Sequence, residues 1–276
     1  MKLFAAAAAS ALFATAGVQA ATVYGVDAAN NLVAFDSAAP GATLSSVRIT
    51  GLSDTFRAID FRPFNNVLYG LSVSNTLYTI DAATGAASAV GGPLALTGNR
   101  FGFDFNPTID RIRVVGDTGQ NYVVNPITGA LQATATPING IPGASVAGNA
   151  YTSSVFGAAA DTTQLYSLDV ANDLLATQNN NGGLLVARGP LGANIGTGAS
   201  FDIQGADAFV QDGADFYSVN LATGLLSAIG QTDRSLVGIA IAPAVPEPAT
   251  WSMMILGFGL VGSALRRRTR VTFATA

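Results

Sequence analysis

The chain has 276 residues, 49% hydrophobic and only 11% charged, and between residues 21 and 244 it carries sixteen aspartates, eight arginines and no glutamate. That acidic stretch, near −8, is repelled by phosphate backbones and excludes nucleic-acid binding. The chain has no cysteine and no histidine. This excludes disulfides, thiol catalysis, histidine-based zinc sites and every triad built on a histidine base.

The N-terminus reads as an address. Lys2 supplies a short positive region, Leu3 to Val18 is apolar, and Val18-Gln19-Ala20 places small residues at the −3 and −1 positions of a cleavage site. Residues 1–20 are therefore expected to be a secretory signal peptide, cut before Ala21.

Residues 21–244 repeat. Asp81-Ala-Ala-Thr-Gly85 recurs forty-four residues on as Asn125-Pro-Ile-Thr-Gly129. The same spacing points next to Asp169-Val-Ala-Asn-Asp173, and then to Asn220-Leu-Ala-Thr-Gly224; Asp36 with Pro40-Gly41 precedes them. Each turn follows an alternating or aromatic segment such as Leu77-Tyr-Thr-Ile80 or Phe216-Tyr-Ser-Val219, the pattern of a strand. Upstream, Ala58-Ile-Asp-Phe-Arg-Pro63 matches Gly102-Phe-Asp-Phe-Asn-Pro107 and Gly238-Ile-Ala-Ile-Ala-Pro243. Four short strands in about 44 residues make a β-propeller blade. The first copy lacks a first strand, and Leu236 to Ala242 is a first strand with nothing after it. An all-β, five-bladed propeller closed by its C-terminal strand is therefore expected, because closure removes two sheet edges.

The phrases Leu68-Tyr-Gly-Leu71, Leu77 to Gly85 and Phe103 to Val115 resemble those of uncharacterised secreted bacterial domains. The resemblance covers roughly Tyr24 to Pro243. It implies no activity and transfers no catalytic residue. The segment Asn179-Asn-Asn-Gly-Gly183 departs most from the pattern and reads as a solvent-exposed loop.

One first-strand position holds Asp60, Asp104 and Asp202 in three copies, with Arg57 and Arg100 upstream of the first two. Such a ring could bind a cation or carry acid–base work. It could equally lock neighbouring blades through backbone amides or arginine. Repeats re-use structural residues, whereas a catalytic site usually breaks the repeat, so the lock is the expectation. Arg100, Arg111 and Arg113 could bind an acidic sugar or phosphate, or pair with Asp104 and Asp110. Asp207, Asp212, Gly213 and Asp215 fit no calcium-loop spacing. Gly192 to Gly196 is not followed by a helix, so it is no phosphate loop. No metal or cofactor is expected.

The C-terminus is a second address. Residues 245–250 contain Pro246-Glu247-Pro248; residues 251–265 carry no charge; residues 266–276 open with Arg266, Arg267 and Arg268. As a helix, 251–265 would span about 23 Å, short of the ~30 Å hydrocarbon core. Snorkelling arginines can rescue such a span and hold the tail in the cytoplasm. The three parts in order closely resemble the PEP-CTERM sorting signal. That resemblance implies an exosortase as partner, a Gram-negative host, removal of a temporary transmembrane helix, and delivery to the cell surface or matrix, often beside exopolysaccharide. The expected product is a non-catalytic binding or structural module, transiently anchored with its propeller in the periplasm. The alternative is a polysaccharide-active enzyme using paired aspartates. Two carboxyls facing an open cleft would favour the enzyme, and carboxyls bonded between blades would remove those residues from contention.

Overall fold

The computed structural model describes residues 20–243 and 255–258. The signal peptide but for its last residue, the sorting motif at 245–250 and the basic tail at 266–276 lie outside the described residues. So does the apolar segment 251–265 apart from 255–258, which is helical. No helix among the described residues is long and apolar enough to cross a membrane.

Twenty strands form five four-stranded antiparallel sheets. The first blade contains β1 (Thr22–Val26), β2 (Asn31–Asp36) and β3 (Ala39–Arg48). The second contains β4 (Phe56–Arg62), β5 (Val67–Ser72), β6 (Leu77–Ile80) and β7 (Ala87–Val90). The third contains β8 (Phe101–Asn106), β9 (Arg111–Gly116), β10 (Asn121–Val124) and β11 (Leu131–Thr134). The fourth contains β12 (Val146–Tyr151), β13 (Leu165–Asp169), β14 (Leu174–Gln178) and β15 (Leu185–Pro190). The fifth contains β16 (Ser200–Gln204), β17 (Asp207–Asp212), β18 (Asp215–Val219) and β19 (Leu226–Gln231). The last strand, β20 (Gly238–Ile241), pairs with β1 and completes the first blade, as the unmatched ends of the repeat predict.

Burial follows position in the blade. The innermost strands β8, β12 and β20 are buried at every residue, because each packs between two neighbouring blades. The outermost strands β3 and β11 are mostly exposed. Five clusters of buried apolar side chains result, one at each seam between blades.

All inner strands run the same way. The loops after β4, β8 and β12 therefore lie at one end of the ring, with the residues that follow β20. Ala242 N–H donates to Thr22 O at 2.8 Å, so the chain also enters the first blade at that end. We call this the exit end. The hairpin turns after β5, β9, β13 and β17 form the opposite end.

One register expectation is corrected. Asp169–Asp173 belongs to the turn between β13 and β14, at the opposite end. The true fourth-blade counterpart of Asp81–Gly85 is Asn179–Gly183. Gly183 N–H donates to Asn179 O at 2.9 Å, as Gly129 does to Asn125 and Gly224 to Asn220. Gly183 has φ +67°, and a Cβ there would lie 2.3 Å from Pro137 O, so only glycine fits. The long loop 152–164 between β12 and β13 shifts the frame and misleads a fixed-spacing reading.

Candidate functional site

The aspartates at the repeated first-strand position converge on the ring's axis. Asp60, Asp104 and Asp202 are 7%, 3% and 4% exposed. One carboxylate oxygen of each lies within 4.8 Å of the others. Ala150 and Ala240, both fully buried, occupy the same position in the other two blades.

Each carboxyl also reaches the next blade. Asp60 Oδ2 accepts from Phe105 N–H at 2.8 Å, and Asp104 Oδ1 from Tyr151 N–H at 3.0 Å. Asp202 Oδ2 accepts from Ile241 N–H at 2.5 Å, and its Oδ1 from Ile203 N–H at 2.6 Å. Three of the five seams are thus bridged by a carboxylate of the axial ring.

Three carboxyls this close and this dry cannot all ionise cheaply. Burial raises Asp60 well above the usual carboxylate range, with repulsion from Asp202 adding to it. Burial does the same at Asp104, reinforced by Asp60 and Asp202. Burial raises Asp202 less, to about 6, because hydrogen bonds from the Ile241 and Ile203 amides and with the Asp104 carboxyl offset it. The ring therefore takes up protons at higher pH than ordinary carboxylates do. These are also the described residues that could hold a cation, one oxygen apiece. Calcium takes six to eight oxygens, so most of its shell would come from elsewhere.

The other residues named from sequence go elsewhere. Arg57 and Arg100 do not join the ring. Arg57 lies at the opposite end, where it donates to Val73 O and to Asn99 O (3.3 Å) and covers the Phe101 ring at 5.2 Å. Its pKa is lowered by burial first and by Arg100 second. Arg100 is exposed. Asp110 pairs with Arg62, not with Arg111 or Arg113. Asp207 and Asp212 stand at opposite ends of β17, so they make no calcium loop.

Arg113 is the functional-looking residue whose surroundings sequence reading missed. It is 3% exposed, and among the described residues no carboxylate pairs with it. Neutral oxygens hold it instead: Tyr151 Oη (3.3 Å), Asn121 Oδ1 (2.8 Å) and Asn181 Oδ1 (3.0 Å). Asn121 Nδ2 donates to Asn180 O, and Tyr151 Oη to Asn180 Oδ1, both at 2.9 Å. The Asn179–Gly183 turn expected to be a plain exposed loop therefore clamps the third blade. The signal was present: the Asn-to-Gly offset of four equals that in Asn125–Gly129 and Asn220–Gly224.

The fold and the axial ring define a class: a five-bladed β-propeller closed by its last strand, with a sorting sequence behind it. The chain belongs to the family described as "Domain of unknown function (DUF4394)", which matches residues 31–240. A PEP-CTERM protein-sorting motif matches residues 244–268. A chain from a crystal structure of a nidogen/laminin complex is similar in fold, with a TM-score of 0.53 and 10% identity over 80% of this chain and 98% of that one. PorZ, a bacterial surface component of the type-IX secretion system of Porphyromonas gingivalis, aligns at 17% identity and a TM-score of 0.38, over 78% of this chain and 29% of its own. A comparison with curated proteins finds no match.

Proposed function

We propose that this chain is an exported propeller that acts at the cell surface or in the matrix as a non-catalytic binding or structural module, with exopolysaccharide as its partner class. The PEP-CTERM motif itself indicates export to the cell envelope and recognition by an exosortase. The single observation that carries the rest is a closed propeller, complete by Ile241, standing directly before that motif. In this reading residues 1–20 are removed, 251–265 anchor the chain until sorting, and 266–276 face the cytoplasm.

The axial aspartates support a non-catalytic role for themselves. They are buried, and each accepts from a backbone amide of the next blade. They serve as locks between blades.

The test is fractionation of the full chain expressed in an exosortase-bearing host. Wild type should appear at the surface or in the medium. Pro246→Ala with Glu247→Ala should leave it in the inner membrane; release of that variant at the wild-type level would overturn the sorting reading. Pull-down of the host's exopolysaccharide by the full chain, against a boiled control, tests the binding arm, and equal retention by both would sink it.

A further inference from the structure

Ten large apolar side chains of the propeller are exposed, and they are not evenly spread. Single exposed apolar residues are ordinary, whereas a set gathered on one face marks an interaction surface. Phe64, Ile109, Val155 and Phe156, exposed by 60%, 55%, 55% and 44%, stand on the exit-end loops after β4, β8 and β12. Ile127, Leu184 and Leu225 are exposed at the turns between the third and fourth strands of their blades, at the rim of the ring. The opposite end shows only Val73 among the described residues.

The patch is built, not frayed. Loop 152–164 is tied across its neighbours by Gly157 N–H to Pro63 O at 2.9 Å and Ala160 N–H to Pro107 O at 3.2 Å. Pro63, Phe64, Pro107, Ala158 and Ala159 enclose a cavity of about 40 Å³ beneath it. Of the charges beside it, Arg62 and Asp110 pair with each other, while Asp161 on the same loop is exposed.

The chain leaves at this same end. After Ile241, residues 243–250 separate the propeller from Trp251 and the uncharged segment 251–265. Eight residues reach at most about 28 Å when fully extended. A propeller tethered that closely holds its exit end nearest to wherever the apolar segment sits.

We propose that the exit end is a lipid-facing surface, laid against the bilayer while the sorting tail is attached, with Phe64 and Phe156 seated at the headgroup level. The inference rests on the reading that 251–265 enters the bilayer. Aromatic and aliphatic side chains exposed together on one face suit that interface. The opposite end, with Arg57, Arg100 and Asp117, is then turned away from the membrane and left open to ligands.

The absence of native cysteine makes the test direct. The full chain is reconstituted into vesicles of phosphatidylethanolamine with a minor share of phosphatidylglycerol. Ala158→Cys (exit end) or Val73→Cys (opposite end) carries an environment-sensitive fluorophore, and nitroxide-labelled lipid or aqueous iodide is the quencher. Lipid nitroxide should quench the Ala158 site at least about twofold more than the Val73 site, and iodide should show the reverse order. Adding Phe64→Ser and Phe156→Ser, both at exposed positions, should abolish that lipid quenching while the chain still floats with the vesicles. Flotation with equal quenching at both sites overturns this inference and leaves the anchoring reading intact. A chain that does not float overturns both. Shielding of Ala158 from iodide without lipid quenching means that a second copy covers the face, and it also overturns the proposal.

Discussion

Two neighbouring seams of the propeller are held by different physics. Between the second and third blades thirteen buried apolar residues meet, with Tyr69, Phe103 and Phe105 in edge-on contact. Between the third and fourth blades the apolar cluster shrinks to Val115, Val146, Ala176 and Leu185. Arg113, Asn121, Tyr151 and Asn180 fill the remainder with hydrogen bonds. The first seam gains stability in proportion to area and tolerates changes that keep volume. The second gains little net energy per bond but fails when one partner is removed, because the rest are left dry and unpaired. The repeat is broken in this seam at Asn149, where the other blades carry Ile59, Phe103, Phe201 and Ile239.

Phe105→Ala should give the largest effect. Phe105 is fully buried, and truncation should cost about 3–5 kcal/mol. Urea unfolding measures it, and a loss under about 1 kcal/mol would mean that this seam does not dominate stability. Next comes Arg113→Met, which keeps the aliphatic stem and strands the oxygens of Asn121 and Asn181. The expected loss is about 2–3 kcal/mol. A neutral or stabilising result would show that burying the charge costs as much as its bonds return.

The axial ring spans both seams through Asp60 and Asp104, and it gives a pH test. All three folded-state pKa values are raised, so the folded protein binds more protons than the unfolded chain. Stability should be highest near the unfolded carboxylate value, about 4. It should fall as pH rises, through about 6 for Asp202 and higher for its partners. Between pH 5 and 8 the part due to Asp202 alone should be about 1–2 kcal/mol, and its partners add to that loss. Asp104→Asn keeps an oxygen for the Tyr151 amide without needing a proton, and should flatten that slope while raising stability at pH 8. Denaturation midpoints at the two pH values decide the matter; stability that climbs from pH 5 to 8 in the wild type would contradict the raised pKa values of the ring.

How much of this was legible follows the same division. The inner strands were readable because Ala58–Pro63 and Gly102–Pro107 repeat residue by residue, and β20 was found by the strand that the first copy lacks. The aspartates could be aligned from sequence, but their separation could not, since only the ring's closure brings three strand positions to one axis. Arg57 and Arg100 looked like partners because they are close along the chain. In an extended strand, however, Arg57 lies about 10 Å from Asp60, at the other end of the ring. The polar seam was the least legible part. Arg113 and Asn181 are sixty-eight residues apart, and the insertion at 152–164 hides their shared frame.

The smallest predicted effect sharpens the comparison most, because its sign is opposite. Asn149 stands where Ile59, Phe103, Phe201 and Ile239 stand in the other blades. It is fully buried, and neither its Oδ1 nor its Nδ2 has a partner among the described residues. It packs into the space left by Gly102, where a Cβ would come within 2.0 Å of Oδ1. A buried unpaired amide costs about 1–3 kcal/mol. Asn149→Leu keeps the branched shape but is larger, so it should stabilise the propeller by no more than about 1 kcal/mol once its repacking strain is subtracted. Thermal unfolding of the variant beside Gly102→Ala, which should destabilise through the clash, separates polarity from packing at one contact. If Asn149→Leu destabilises instead, a buried water satisfies the amide, and the polar network of this seam extends inward from Tyr151 towards the axis.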